Sequence, residues 1–395
     1  MTAARTLLLA PVDLLNGRTS SFGDLPLALV TLPPCPFDEA PNSIVLDLPA
    51  DTPLEVAVPG RGTATVPAGS LFEHLRPAPA LAALFDGAAT VGSLVPAFVV
   101  RDDLDGRHLY SQIRFALEDA LFVRTTEKPV ATEPVEDLAW VPDAVARHAE
   151  HALFLNNHQR YYRKCLADSE VEVKFTLDGA VDIWDLTADA YRRIDTGDMA
   201  GYVPEYRDEF QQWDFPTRLY EVTDPERPGY ISFIPTPDGR HLVKQKQFAA
   251  DCLVRKESIS GAQRLPGTTE DFIRHSVGDA YRKLPAVRRV RYDVNFESMP
   301  SGHVYGIFFD RVSVIGAPHV AMSQCEVEYL RSRTAIAPDP DRMFRELEGI
   351  LAWIRAFLDE RGVDYVEGYY SKLSFLRDAL ADGRVVGDPS TGTLE

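Results

Sequence analysis

The sequence predicts an α+β protein: a closed antiparallel β-barrel covered by helices, behind an N-terminal region that is β-rich or mixed α/β. Three observations lead there. Between residues 169 and 330, strand-like segments recur that are apolar on one face and charged on the other. The chain is acidic overall, with 41 Lys+Arg against 59 Asp+Glu and a net charge of -18, yet Arg240 to Arg291 reverses the sign, with twelve Lys/Arg against five Asp/Glu. Two segments with helical apolar spacing, Asp271 to Lys283 and Asp341 to Glu360, are placed to cover the apolar faces. A single charged strand face is an ordinary solvated edge. Six or more such strands, with cations concentrated on them, call for a charged interior, and closing about eight strands provides one without leaving an edge.

In chain order, Met1 to Pro11 reads as the first buried strand, because its apolar run meets Pro11 and Asp13 too soon for a signal segment. Residues 1–135 alternate short apolar runs (Leu27 to Leu32, Ser43 to Leu48, Leu54 to Val58, Ala97 to Val100) with prolines and glycines. That pattern predicts short strands and turns, with helices over Ala80 to Phe85 and Ser111 to Leu121. Gly60-Arg61-Gly62 lacks the Lys and Ser/Thr of a phosphate loop and reads as a turn. Residues 136–167 form a linker and a helix, the helix over Ala144 to Leu166, in a stretch where Glu127 to Pro142 is rich in proline and acid. His148, His151 and His158 complete no metal-binding motif there, and Asn156-Asn157 weakens the helix.

Residues 168–385 form the barrel domain. Ser169 to Phe175 sets Glu170, Glu172 and Lys174 on one face and Val171, Val173 and Phe175 on the other. Pro216 to Val222 carries Arg218 and Tyr220 together, and His241 to Phe248 carries Lys244 and Lys246. Asp251 to Ser258 offers Arg255 with Glu257 on one face, or Lys256 on the other. Val287 to Phe296 sets Arg289, Arg291, Asp293 and Asn295 opposite Val290, Tyr292, Val294 and Phe296. Val304 to Val314 is apolar up to Asp310-Arg311, and Met322 to Leu330 sets Glu326 and Glu328 opposite Val327 and Tyr329.

Composition narrows the chemistry. An acidic chain has no general attraction for a nucleic acid duplex or an anionic membrane, so an anion site must be local. No segment is apolar enough to span a bilayer. Cys35, Cys165, Cys252 and Cys325 form no CxxC pair, which suits a reducing cytoplasm. Converging Lys and Arg side chains suit a polyphosphate, Arg with forked hydrogen bonds and Lys as a point charge. Two carboxylate pairs, Glu170/Glu172 and Glu326/Glu328, suit a hard divalent cation that bridges to phosphate.

With these residues in view, Glu170-x-Glu172-x-Lys174 resembles the first-strand signature of the CYTH family, the triphosphate tunnel metalloenzymes. Arg218 to Asp224 resembles the family's second-strand motif. The basic strands at Lys244/Lys246, Arg255/Lys256 and Arg289/Arg291 follow in the same order. Phe309 to Gly316, running on to Glu326-Val327-Glu328, is similar to its Asp-containing segment and second Glu-x-Glu strand, and Gly368 to Leu373 resembles its closing motif. The resemblance covers Asp168 to Ala381. The insert from Asp178 to Trp213, the Lys244-Gln245-Lys246 pattern in place of a more Arg-rich one, and the N-terminal third depart from the family.

The resemblance implies Mg²⁺ or Mn²⁺ held by Glu170, Glu172, Glu326 and Glu328. It also implies a triphosphate gripped by Lys174, Arg218, Lys244, Lys246, Arg255, Arg289 and Arg291, with Lys372 as a cap and Glu170, Glu172 and Lys174 serving catalysis. The leading activity is metal-dependent hydrolysis of inorganic tripolyphosphate or a small organic triphosphate such as thiamine triphosphate. Formation of cyclic AMP and pyrophosphate from ATP, as in class IV adenylyl cyclases, is the alternative enzyme, and a non-catalytic phosphate-binding module is the alternative outside enzymology. The expected partner is a small-molecule triphosphate, with self-association as a homodimer left open.

Overall fold

Strand pairing in this protein forms two separate β-systems, seen in a computed structural model that describes residues 4–15, 25–34, 39–71, 83–85, 94–115, 119–130, 133–155 and 162–385. Cys35, Asn156, Asn157, His158 and the first half of the helix expected over Ala80 to Phe85 lie outside these residues, and its described half, Ala83 to Phe85, is a turn. Two compact units result. The first comprises Met1–Arg163 with Ser298–His303 and Ser332–Asp339, and the second comprises Lys164–Glu297, Val304–Arg331 and Pro340–Glu395.

The first unit holds an eight-stranded antiparallel sheet, its strands being β1 (Ala4–Pro11), β2 (Ala28–Leu32), β3 (Ser43–Asp47), β4 (Pro53–Val58), β5 (Gly62–Pro67), β6 (Leu94–Asp103), β7 (Gly106–Phe115) and β8 (Asp119–Arg124). They are ordered β3-β8-β7-β6-β1-β2-β4-β5. One face gathers Leu7, Val30, Ile44, Val56, Val66, Tyr110 and Phe122 from strands along its whole width. The other packs Leu8, Phe98 and Leu109 on Trp140, the N-cap of the helix Val141–Glu150, and on Val141 and Ala144 of that helix. Gly60-Arg61-Gly62 is a turn as read: Gly60 and Gly62 have φ of 73° and 120°, which glycine adopts without steric cost.

Two other helix expectations fail in this unit. Within Ser111 to Leu121 the described residues are strand, Ser111 to Phe115 in β7 and Asp119 to Leu121 in β8, because Tyr110 and Phe122 alternate with Leu109 and Leu121 across paired strands, and cross-strand pairing outweighs local helical spacing. The helix over Ala144 to Leu166 is instead Val141–Glu150 followed by Ala152–Leu155, and Arg163 forms an isolated β-bridge with Ser332.

The second unit opens with β9 (Ser169–Leu177) and continues with β10 (Tyr202–Pro204), β11 (Phe210–Val222), β12 (Gly229–Pro235), β13 (His241–Gln247), β14 (Val254–Gln263), β15 (Tyr281–Lys283), β16 (Val287–Ser298), β17 (His303–Val314), β18 (Ala317–Ser332) and β19 (Tyr365–Gly368). The antiparallel neighbours run β16-β17-β18-β9-β14-β13-β12-β11. The long β11 then pairs its first half, Phe210 to Thr217, with β16, so the hydrogen-bonded series returns on itself as a ring of strands.

Outward residues of the ring form the larger core. Val171, Val173, Phe175, Val294, Phe296, Ile307, Phe309, Cys325 and Val327 pack on Met343, Leu347, Ile350, Ile354 and Leu358 of the helix Pro340–Glu360. The helix Ile183–Asp195, which occupies the long insert and is capped by Asp182, adds Leu186, Ala190 and Ile194 to the same core. Burying a Leu or Ile side chain contributes roughly 1.5–3 kcal/mol, so the charged interior rests on an ample apolar exterior. The helix expected over Asp271 to Lys283 is shorter, Thr269–Val277. It stops at Gly278, whose φ of 66° ends it, and Tyr281–Lys283 is extended as β15. A last helix, Lys372–Ala381, packs Leu373, Phe375 and Leu376 with Leu219, Tyr230, Val287 and Val312. Among the described residues, no helix is long and apolar enough to cross a membrane.

Candidate active site

Register decides which charges meet. The pairing of β18 with β9 sets Glu326 opposite Lys174 and Glu328 opposite Glu172, and the pairing of β14 with β9 sets Arg255 opposite Glu170. Since Val171, Val173 and Val327 are committed to the outer core, these charged partners face one another inside the ring. They enclose a cavity of about 290 Å³, lined among others by Glu170, Lys244, Lys246, Glu257, Arg289, Arg291, Glu326, Glu328 and Lys372.

Two arrangements share this interior. In the first, Glu170, Glu172 and Glu328 each offer a carboxylate oxygen within 4.8 Å of the others. Lys246 Nζ donates to both oxygens of Glu170, at 2.6 and 2.5 Å. Arg255 Nη1 donates to Glu172 Oε1 at 2.5 Å, and Lys174 Nζ lies 3.1 Å from the same oxygen. In the second, Glu326 and Asp310 are surrounded by cations. Glu326 accepts from Lys174 and Lys372, each at 2.9 Å, and from Arg289 at 3.0 Å, with Arg291 also bonded to it. Asp310 accepts from Arg289 Nε at 2.9 Å and from Arg291 Nε at 2.6 Å, and Arg291 stacks over Phe308 at 4.2 Å.

Charge state follows this division. For Glu172, burial disfavours the carboxylate, but Lys174, Lys246 and Arg255 outweigh it and hold the pKa down to about 2. For Glu326, burial is likewise overcome, by Lys174, Lys372 and Arg291, and its pKa falls well below the usual carboxylate range. Glu170 and Glu328 go the other way. Burial raises both, Glu172 adds to the rise in Glu170, and Glu170 and Glu172 add to it in Glu328. Burial also pushes Asp310 up to about 6 against the pull of Arg291, and Asp293 up to about 6 against Arg291 and the Trp213 indole.

Three close carboxylates, two with raised pKa values, are the electrostatic complement of a dication. The all-oxygen donor set fits a hard ion such as Mg²⁺ or Mn²⁺. Glu326, which the motif groups with Glu328, is turned to the cations instead.

The other sequence candidates distribute as follows. Lys244, Lys246, Arg289, Arg291 and Lys372 line the cavity. Lys244 has no ion-pair partner among the described residues, in contrast to the other four. Lys174, 2% exposed, and Arg255, 1% exposed, lie beneath the cavity and brace Glu172 from two sides; Arg255 also donates to the Tyr369 carbonyl at 2.7 Å. Arg218 is not brought to the site. Its neighbours Thr217 and Leu219 line the cavity, so Arg218 shares the opposite face with Tyr220, which is buried under the helix Thr269–Val277. Asp310 and Glu257 belong to the site although neither was selected from the sequence. A lone carboxylate within the apolar Val304 to Val314, and an acid two residues from Arg255 at the same strand parity, were the available signals.

No family model matches the chain, and no curated protein matches it. Among solved structures it is similar to an adenylyl cyclase candidate from Hippeastrum, described as having a dominant triphosphatase activity, at 13% identity and a TM-score of 0.32 over 55% of this chain and 98% of that one. It is also similar to a protein from Pyrococcus horikoshii OT3, at 14% identity and a TM-score of 0.32 over 53% of this chain and 98% of that one. A third likeness is to the RNA triphosphatase of S. pombe, at 9% identity and a TM-score of 0.24 over 58% of this chain and 95% of that one. In its motifs, the chain resembles the triphosphate tunnel metalloenzymes.

Proposed function

We propose that the second unit is a metal-dependent triphosphatase whose strand ring acts as a closed tunnel. The observation that carries this reading is the convergence on one cavity of Glu170 and Glu328, with Glu172 grouped beside them, and of the cations Lys244, Lys246, Arg289, Arg291 and Lys372. A site built only to bind anions gains nothing from three carboxylates beside its ligand, since each repels phosphate and is costly to bury. At about 290 Å³ the cavity sits at the small end of ligand pockets, which run from roughly 300 to 1,000 Å³, and suits a compact phosphate chain.

Glu170, Glu172 and Glu328 would hold Mg²⁺ or Mn²⁺, which when bound supplies Lewis-acid polarisation of a phosphoryl oxygen. Lys174 and Arg255 keep Glu172 ionised and fixed in position. Lys244 and Lys246 grip non-bridging oxygens as point charges, while Arg289 and Arg291, oriented by Asp310, offer forked donors. Hydrolysis forms a bond from a water oxygen to the terminal phosphorus and breaks the bridging P–O bond. Arg289, Arg291 and Lys372 meet the charge that develops on the departing oxygens.

The test is to incubate the full chain and its Glu172→Gln variant with tripolyphosphate, thiamine triphosphate and ATP, with Mg²⁺ or Mn²⁺, and to assay orthophosphate, pyrophosphate and cyclic AMP in parallel. Orthophosphate release that requires metal and fails in Glu172→Gln is the expected result. Cyclic AMP with pyrophosphate would establish the cyclase instead, and tight binding without any product would establish a phosphate-binding module.

A further inference from the structure

A second metal-ligating group lies in the first unit, at the tip of the hairpin joining β6 to β7. Asp103, Asp105 and His108 each place one ligand atom within 4.8 Å of the others. The hairpin register pairs Asp103 with Gly106 and Arg101 with His108, so a short turn brings both acids to the imidazole.

The contacts inside this group leave donor capacity unused. Asp103 accepts from Arg101 Nε at 2.8 Å through Oδ1 only. Its Oδ2 is buried and has no hydrogen-bond partner among the described residues, in a side chain only 9% exposed. An unsatisfied buried acceptor costs about 1–3 kcal/mol, and more when it is charged, so a native carboxylate in this state calls for a water or an ion as its partner. His108 is 4% exposed, and its Nδ1 lies 3.4 Å from Thr126 Oγ1, which turns the ring so that Nε2 faces Asp105 Oδ2 at 3.7 Å. That distance is too long for a hydrogen bond. Two ligand atoms 3.7 Å apart subtend about 125° at an ion roughly 2.1 Å from each, an angle open to a tetrahedral or five-coordinate zinc site. Asp105 is exposed and gives the ion a route from solvent.

We propose that Asp103, Asp105 and His108 form a binding site for a borderline transition-metal dication of the zinc class, with its remaining positions taken by water, which clips the hairpin tip. The imidazole separates it from the all-oxygen trio of the second unit: a nitrogen ligand favours Zn²⁺ or Co²⁺ over Mg²⁺.

The experiment is zinc titration of the chelator-stripped full chain by calorimetry, with thermal unfolding followed alongside, for the unaltered chain, Asp105→Asn and His108→Gln. Asp105 is exposed, so Asp105→Asn remains informative if His108→Gln does not fold. The expected result is that the unaltered chain binds one zinc equivalent more than either variant, or binds it more than about tenfold tighter. A zinc-dependent rise in unfolding temperature should be lost in both variants, and Mg²⁺ should reproduce neither effect. Equal zinc stoichiometry, affinity and thermal shift in the unaltered chain and Asp105→Asn would overturn the proposal. So would zinc binding that Mg²⁺ displaces completely at comparable concentration.

Discussion

Glu326 and Glu328 sit two residues apart on one strand and read alike in the sequence, yet their surroundings assign them opposite work, and two substitutions separate them. Glu326 is 2% exposed and bonded to Lys174, Lys372, Arg289 and Arg291. Glu326→Gln leaves those cations without their shared carboxylate, and breaking a buried ion pair from one side costs about 3–5 kcal/mol. It also removes the internal anion that competes with phosphate for the same cations. Glu326→Gln should therefore lower the urea midpoint while leaving the metal concentration for half-maximal triphosphatase activity within about twofold of the unaltered chain. Glu328→Gln should do the reverse. Its carboxylate is raised well above its ordinary pKa by burial beside Glu170 and Glu172, so the folded metal-free chain binds a proton there that the unfolded chain releases. Stability then falls as pH rises from about 4.5 through that raised pKa, and the amide removes the loss. The metal midpoint should shift by about tenfold or more, since one of three ligands is gone. Metal titration of activity at pH 7.5, with urea unfolding of metal-free protein at pH 5 and 8, measures all of these. If Glu326→Gln shifts the metal midpoint as far as Glu328→Gln does, the division of the interior into a metal trio and a cation-bound anchor is wrong.

Further consequences follow from burial and partnering. Lys244→Ala should raise KM several-fold with stability nearly unchanged, because this lysine lines the cavity without an ion-pair partner among the described residues, whereas Arg218→Ala, on the outer face, should leave KM and kcat alone; steady-state kinetics distinguishes them. Asp293, raised to about 6 by burial, releases its proton more readily when unfolded, so stability falls as pH rises from about 4 to 6; a shift of about two units is worth up to roughly 3 kcal/mol, and Asp293→Asn should recover much of it above pH 6 in urea unfolding. His148, buried against Phe98, has its pKa lowered by burial, so the unfolded chain binds the extra proton; stability contributed above pH 6.5 should be lost as pH falls through the folded pKa, and His148→Gln should flatten that acid limb in thermal melts between pH 5 and 7.5.

The second unit was legible because two-residue alternation is unambiguous when one face is Val, Tyr and Phe and the other is Glu, Lys and Arg. β9, β13, β16, β17 and β18 all appear where the period placed them, and the helix Pro340–Glu360 starts within one residue of its expected position. What the period could not supply was pairing. Alternation says that Lys174 and Glu326 each face inward on their own strand, but only the register of β9 against β18 says that they meet. The same limit hid Asp310, whose role depends on Arg289 and Arg291 lying across from it on β16. It also hid the outward placement of Arg218, a candidate through the resemblance to the family's second-strand motif although its parity follows the buried Tyr220. In the first unit, Ser111 to Leu121 failed as a helix because a short apolar run does not separate the two periods and the strand partners are distant in sequence.

The two β-systems set a physical contrast that bears on how the charged interior is tolerated. The broad core of the first unit is lined by Leu, Val, Ile and Phe, with Tyr110 bonded to the Pro41 carbonyl as its polar exception. The ring of the second unit reverses this, turning its apolar residues outward onto helices and its carboxylates and cations inward. Such an interior survives only if each buried charge keeps a partner, and Glu170, Glu172 and Glu326 do so through Lys246, Arg255, Lys174 and Lys372. Glu328, opposite Glu172 in the register, is the member whose nearest influences are mainly other carboxylates. The imbalance therefore concentrates at one point of the cavity wall. A dication is the smallest change in composition that would relieve it, which is why metal dependence and the triphosphatase reading stand on the same side chain.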